Sequence, residues 1–327
     1  SFGGGEGGAV FIRGQGSSRP GAEIKTTVDG VPMFMSVWNH PLLDLMAIDP
    51  ASSIEVSKGP QPQNFGNAFS TVNLVPKRRH EEGFVTRLQL AGGSYSTLVT
   101  KAEHGGRQGP WDYYLGGGYR TSDGHRTDAD GTTQNLYGRI GYRINEVWEV
   151  SLFSLATDNE ALDPGAEDAP PSAREGTYET RAFLTSLTLS HETPSLQGSL
   201  KLYHNIGEGD WLDQPTSTPG LREDLFNNFQ FYGFRVRERV GLWPGGRLTA
   251  GLDWDVTEGD WDEEFSDGTT DSWEGHDMTL VSPYAALSHT FGDRSGWYLT
   301  PSAGARYYEH SDFDSEWAPH AGFVLGH

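Results

Sequence analysis

Residues 53–79 read SIEVSKGPQPQNFGNAFSTVNLVPKRR. Ile54 and Val56 alternate with polar residues until Gly59-Pro60 stops the run. A Gly/Asn-rich turn follows, then a second run with Val72 and Leu74 that ends in Lys77-Arg78-Arg79. Strand, loop, strand and a basic stop is the reading. Outward from this segment the chain shows two regimes. Residues 1 to about 80 hold short strand-like runs broken by Gly, Pro and Ser, and from Phe84 onward long alternating segments take over. In 134–144 (QNLYGRIGYRI), Leu136, Ile140, Tyr142 and Ile144 share one face while Asn135, Arg139 and Arg143 share the other. In 247–256 (RLTAGLDWDV), Leu248, Ala250, Leu252, Trp254 and Val256 alternate with Arg247, Thr249, Gly251, Asp253 and Asp255. Period two predicts strands with one apolar and one polar face. Runs of about ten residues exceed the usual soluble strand and suit a tilted membrane strand.

About twelve such segments are predicted, near 83–92, 95–106, 111–121, 132–144, 146–157, 178–191, 197–207, 228–241, 246–257, 277–290, 296–308 and 316–326. Alternate connections are short: 107–110, Asn145, 192–196, 242–245 and 291–295. The others are mostly long: 122–131, 158–177, 208–227, 258–276 and 309–315. Short turns at one end and long loops at the other is the asymmetry of an outer-membrane barrel. Charge sorts the same way. The stretches 158–177, 208–225, 258–277 and 309–316 carry 24 acids against Arg174 and Arg222, which accounts for essentially the whole net charge of −21. The acidity belongs to one rim. Trp111, Tyr113, Trp148, Trp243, Trp297, Tyr298, Tyr307 and Tyr308 sit near strand ends, where interfacial girdles place aromatics, although aromatics also favour strands generally.

Composition narrows the class further. No run approaches the ~20 apolar residues of a membrane helix, so a helical membrane protein is excluded. A barrel is compatible with the mean hydropathy of −0.55, because alternating strands keep the average low. With no cysteine, there is neither a disulfide framework nor a thiolate metal site. The acidic balance argues against nucleic acid. The opening SFGGGEGG lacks the charged and apolar regions of a signal peptide.

Four elements occur in order: Arg13-Gly14, Asp29-Gly30-Val31-Pro32, Ile54-Glu55-Val56 leading to Lys58-Gly59-Pro60, and Phe65-Gly66-Asn67 leading to Val72-Asn73-Leu74-Val75-Pro76-Lys77-Arg78. Together they closely resemble the plug domain of TonB-dependent outer-membrane receptors. Gly92-Gly93-Ser94-Tyr95 and Asp123-Gly124-His125-Arg126 extend the resemblance to about residue 144, and beyond that it is architectural. Departures are Ser53 where the family usually has Arg, Ser70-Thr71 in place of Gly-Gly, and Pro76 in place of Thr. The resemblance implies an all-β fold: a transmembrane antiparallel barrel with about twelve of an expected 22 strands present, and an N-terminal plug inside the lumen. Residues 1–80 would be the plug, lacking its start, and 81–327 part of the barrel. An open half-barrel would leave an unpaired edge in lipid, so a fragment is expected.

The implied function is energy-coupled import of a scarce ligand across the bacterial outer membrane. A ferric siderophore or similar metal chelate is the family's commonest cargo, and cobalamin, copper or glycans are alternatives. Implied partners are that ligand, outer-membrane lipid and the TonB energy-coupling complex, whose contact segment is absent from the chain; no cofactor is implied. In the family, charges matching Arg13, Glu55 and Lys58 tie the plug to the barrel wall, with Arg139 and Arg143 as possible recipients. Two loops would form the plug apex, 15–20 and 34–41, with Arg19, Trp38, Asn39 and His40 as ligand contacts. An arginine grips an anionic chelate and a tryptophan stacks on its aromatic groups.

Other constellations are weaker. Met33, Met35 and Met46 near His40 could suit Cu(I), but apolar plug core is the preferred reading. No other histidine has metal-ligand spacing, so no metal site is assigned. The acidic loop 258–277 lacks EF-hand spacing and reads as solvated. Asp253 and Asp255 point the same way into a lumen rather than across a glycosidic bond. No nucleophile elbow, phosphate loop or triad occurs, so an enzyme is not expected. The rival classes are a passive barrel or adhesin, which the plug segment argues against, and a soluble β-rich carbohydrate-active enzyme, which strand length and loop asymmetry argue against.

Overall fold

The computed structural model describes residues 10–13, 15–17, 24–33, 43–58, 63, 66, 68–162, 176–293 and 295–327. Two sheets dominate. The smaller contains β3 (Ile24–Val28), β4 (Val31–Pro32), β5 (Ala51–Ser57) and β6 (Ser70–Pro76), in the order β4-β3-β6-β5. Before it lie β1 (Val10–Ile12) and β2 (Gln15–Ser17), a short antiparallel pair. β3 and β6 run parallel, with Thr27 opposite Asn73, whereas β5 and β6 are antiparallel. Asp29 and Gly30 make the two-residue turn from β3 to β4 with φ of 54° and 75°. That turn needs positive φ at both positions, which Asp and Gly tolerate.

The larger sheet begins six residues after β6. Its principal strands are β7 (Gly83–Gly92), β8 (Leu98–Gln108), β9 (Trp111–Ser122), β10 (Gly131–Arg143), β11 (Trp148–Leu162), β12 (Thr177–Glu192), β13 (Leu196–Pro215), β14 (Arg222–Trp243), β15 (Gly246–Phe265), β17 (Met278–His289), β19 (Tyr298–His310) and β20 (Glu316–Gly326). Short pieces β16 (Thr270–Trp273) and β18 (Phe291–Gly292) pair with β15 and β19. Each principal strand is antiparallel to the next, and each of the twelve overlaps one expected segment, with β13, β14 and β15 running beyond theirs. Among the described residues β7 pairs only with β8, and β20 only with β19.

The two faces differ as alternation predicts. Leu88, Leu115, Leu136, Ile140, Leu152, Leu187 and Leu202 are exposed on the outer face. Asn135, Tyr137, Phe153, Leu155, Leu184, Tyr203, Asp253 and Asp255 are buried on the inner face. What buries them is the small sheet. Val28, Val31, Met33, Leu45 and Leu74 share one apolar cluster with Tyr114, Tyr137, Phe153, Leu155, Tyr178, Leu184, Tyr203, Phe229 and Phe231. The small domain therefore has no independent core. Its apolar side is completed by the concave wall of the large sheet, and that fixes its position.

One expectation is corrected. Segments 208–227 and 258–276 are not long loops. β13, β14 and β15 run 20, 22 and 20 residues, with continuous pairing such as Asn228 opposite Asp260 and Asp224 opposite Glu264. A bilayer span needs only about ten residues, so strands of this length exceed one, and their excess is rich in acids. The acidic residues hide a real alternation carried by Trp211, Leu225, Phe229 and Trp261, and ladder hydrogen bonds tolerate carboxylates on a solvated face.

Candidate functional site: the seam between plug and wall

Charged groups from the small sheet meet opposite charges on the wall at three places. The first centres on Asp49, at the turn before β5 and 4% exposed. Arg120 donates to its Oδ1 at 2.7 Å and Asn135 to its Oδ2 at 2.9 Å, while Lys101 lies 3.3 Å away. Burial alone would raise the Asp49 carboxyl, but the hydrogen bonds from Arg120 and Asn135 outweigh it and hold it at about 2. Gly118 makes the seat possible, since a Cβ there would stand 2.5 Å from the Asp49 carboxylate. Beside it, Lys77 donates to the Asp49 carbonyl at 2.7 Å and pairs with Glu103 of β8. Glu103 is also bound by Lys101 at 3.0 Å and by the Tyr137 hydroxyl. Burial lowers the Lys77 ammonium pKa in spite of the Glu103 contact.

Arg78, one residue on, forms the second contact. It reaches Asp112 of β9 at 2.8 Å and Glu149 of β11 at 2.6 Å. Burial works against its charge, yet Glu149 and Asp112 raise its pKa above the ordinary value. The same two acids hold Arg139, at 2.6 and 3.5 Å. Arg139 is thus occupied by wall carboxylates and is not a receiver for a plug acid, and Arg143 is exposed.

The Asp29-Gly30 turn makes the third contact. Ser186 donates to the Asp29 carboxylate at 2.6 Å, and Lys201 binds the same carboxylate. Arg235 donates to the Gly30 carbonyl. Asn73 braces the turn from behind: its Oδ1 accepts from Thr27 Oγ1 at 2.8 Å and from the Gly30 amide at 2.9 Å. Its Nδ2 donates to Glu55 at 3.0 Å. Nearby, burial, reinforced by Arg235, pushes the Lys25 ammonium down to about 8.

The seam is therefore ionic as well as apolar. A buried ion pair is compensated only while both partners are in place, and removing one partner typically costs about 3–5 kcal/mol. Such contacts give a specific docked position without the gain of a fully apolar interface.

Residues 1–72 match the family described as TonB-dependent Receptor Plug Domain. Solved structures of this fold include the ferripyoverdine receptor of Pseudomonas aeruginosa bound to ferripyoverdine, at TM-score 0.69 and 13% identity over 96% of this chain and 48% of that one. BauA, the ferric preacinetobactin receptor of Acinetobacter baumannii, gives TM-score 0.70 and 14% identity over 98% and 56%. The copper transporter OprC gives 0.71 and 13% over 99% and 54%. The chain spans about half the length of the solved proteins it matches.

Of the residues singled out from the sequence, Arg19, Trp38, Asn39 and His40 lie outside the described residues, as do Met35 and the apex loops in the main. Arg13 is exposed with φ of 52°, and Lys58 is exposed on the end of the β5 segment. Among the described residues neither makes an ion pair. Glu55 is exposed, bound by Asn73, and faces a cavity whose far side is the wall. Met33 is buried in the shared core, where Asn205 Nδ2 lies 3.5 Å from its sulfur, and Met46 packs against that core. Sequence reading missed Asp29, Asp49, Lys77 and Arg78 as docking residues. Asp29 and Lys77-Arg78 were in view as a turn and as a basic stop, but a one-dimensional pattern does not say which carboxylates stand opposite.

Proposed function

We propose that this receptor imports a scarce ligand across the bacterial outer membrane in an energy-coupled cycle, the ligand being a ferric siderophore or another metal chelate. The observation that carries the reading is the ionic seam of Asp29, Asp49, Lys77 and Arg78 between plug and wall. A permanently sealed barrel would be served best by apolar packing. A plug that must be displaced is served by contacts that fix one position and exchange for water when pulled apart. Arg19, Trp38, Asn39 and His40 would form the ligand-contacting apex. Arg13, Glu55 and Lys58 would add latch contacts, Glu55 toward the basic wall across the cavity. The TonB energy-coupling complex and outer-membrane lipid are the other partners of this reading.

The test uses the full-length receptor in outer-membrane vesicles. Its tryptophan fluorescence is titrated with ferric siderophores, cobalamin and Cu²⁺, in the parent and in Trp38→Ala and His40→Ala. Saturable quenching by an iron chelate, weakened at least several-fold by either change, is expected. Quenching by Cu²⁺ alone, abolished in His40→Ala, would replace the chelate with copper. Absence of any response would remove this substrate class.

A further inference from the structure

On the outer face of the wall a groove of ≈ 590 Å³ runs over β8 and β9. The register places Leu88, Ala102, Gly117 and Leu136 side by side on β7, β8, β9 and β10. Leu88 and Leu136 stand up as its two sides, 79% and 68% exposed. Ala102 and Gly117 form the floor between them, two strands and about 10 Å wide. The floor is set by the ladder itself, since a Cβ at Gly117 would stand 3.0 Å from the Asn135 carbonyl. Among the described residues no plug residue lines the groove, so it belongs to the convex side of the sheet, apart from the seam.

The groove is amphipathic along its length. One row nearer the tight turn at Gly109-Pro110, Leu115 stands opposite Gly138, so the trough stays apolar and open in that direction. One row further from that turn stand Thr100, Tyr119 and Gln134, which offer two hydroxyls and an amide. Gln134 donates to Asp158 of β11 at 3.0 Å, and Asp158 also lines the groove. Beside this mouth the outward positions of β11, β12 and β13 carry Asp158, Glu160, Glu179 and Glu208, with Arg181 as the base among them. Arg181 is shared between Asp158 at 3.3 Å, Glu208 at 3.0 Å and Glu179 at 3.4 Å. The carboxylate excess repels a headgroup that carries only phosphate and attracts one that also carries an ammonium.

Apolar trough, neutral hydrogen-bonding groups and then carboxylates follow the order of tail, linkage and headgroup in a bilayer lipid. We propose, on the membrane reading given above, that this groove holds an acyl chain of a zwitterionic aminophospholipid. Its ester linkage meets Thr100, Tyr119 and Gln134, and its ammonium lies toward Asp158. A chain already in a bilayer gains nothing from leaving water, so retention comes from the fit of the trough and from its polar mouth.

The full-length protein is reconstituted in vesicles of equal phosphatidylethanolamine and phosphatidylglycerol with matched chains. It is then extracted in mild detergent and weighed by native mass spectrometry. A bound lipid on each chain is expected, with phosphatidylethanolamine favoured roughly fivefold, the upper range of one exposed ion pair. Ala102→Leu fills the floor and should lower retention roughly tenfold. Ala285→Leu, on the exposed face of β17 and outside the groove, should retain lipid as the parent does. Asp158→Asn should reduce the headgroup preference at least twofold with lipid still bound. No retained lipid, equal loss in Ala285→Leu, preference for phosphatidylglycerol, an unchanged preference in Asp158→Asn, or paired chains in place of lipid adducts would overturn the proposal. Protein that does not enter vesicles would remove the membrane reading and this site with it, whereas protein in vesicles that retains no lipid removes the site alone.

Discussion

Replacing Asp49 with asparagine should loosen the plug without disturbing the barrel. The Asp49 carboxyl is held at about 2 against an ordinary 3.8. That difference corresponds to about 2 kcal/mol of docking free energy at neutral pH. Asparagine also leaves Arg120 and Lys101 facing no charge, so about 2 kcal/mol is a lower figure for the loss. The reporter is Ser70→Cys. Ser70 is fully buried in β6 and its hydroxyl has no hydrogen-bond partner among the described residues, so a thiol there is a mild change. When opening is fast and rare, labelling measures the open fraction, and about 2 kcal/mol is a roughly 30-fold rise in rate. The pH dependence has a definite sign. The folded-state pKa lies below the unfolded one, so the Asp49 contribution is whole above about pH 5 and fades as pH falls toward 2. With a disulfide reagent that works in acid, the parent should open progressively below about pH 4, and the Asn variant should lack that part of the profile. Labelling within threefold of the parent at neutral pH would refute the reasoning, as would an unchanged acid limb in the variant.

Gly118→Ala should act like Asp49→Asn, because the added methyl enters the space of the Asp49 carboxylate. Glycine-to-alanine in a strand otherwise stabilises, so faster Ser70→Cys labelling, not additive with Asp49→Asn, is the diagnostic result. Arg78→Gln should cost about 3 kcal/mol or more by leaving Asp112 and Glu149 with Arg139 alone, read as a lower urea midpoint for plug release. Asn73→Ala removes three hydrogen bonds behind the Asp29-Gly30 turn and should lower the same midpoint by about 1–3 kcal/mol, with barrel unfolding unchanged. Lys25 sits at about 8 when docked and 10.5 when free, so the unfolded plug binds more protons between those values and plug stability should rise with pH across them. Lys25→Met should abolish that rise.

The sequence carried most of the wall. Period-two alternation is a local property, and each strand's inner and outer residues follow from it; Leu136 and Ile140 point outward while Asn135 and Arg139 point inward, as read. The Asp29-Gly30 turn and the β5–β6 pair were also legible, because turn chemistry and short apolar runs act within a few residues. Where charge and strand coincided, local reading stopped short. The acidic stretches of β13–β15 looked like loops, since composition records solvation but not ladder pairing. The docking residues were out of reach for a different reason. Asp49 meets Asn135 across 86 positions, and Lys201 meets Asp29 across 172. Those pairings exist only after the plug's apolar side, from Val28 to Leu74, has been buried against the tyrosines and phenylalanines of the wall. The sequence by itself determined where the wall strands run outside their acidic extensions, and which face of each was polar. The tertiary structure decided which charges face one another, because hydrophobic burial sets the docked position and electrostatic contacts are then whatever that position brings within a few ångströms.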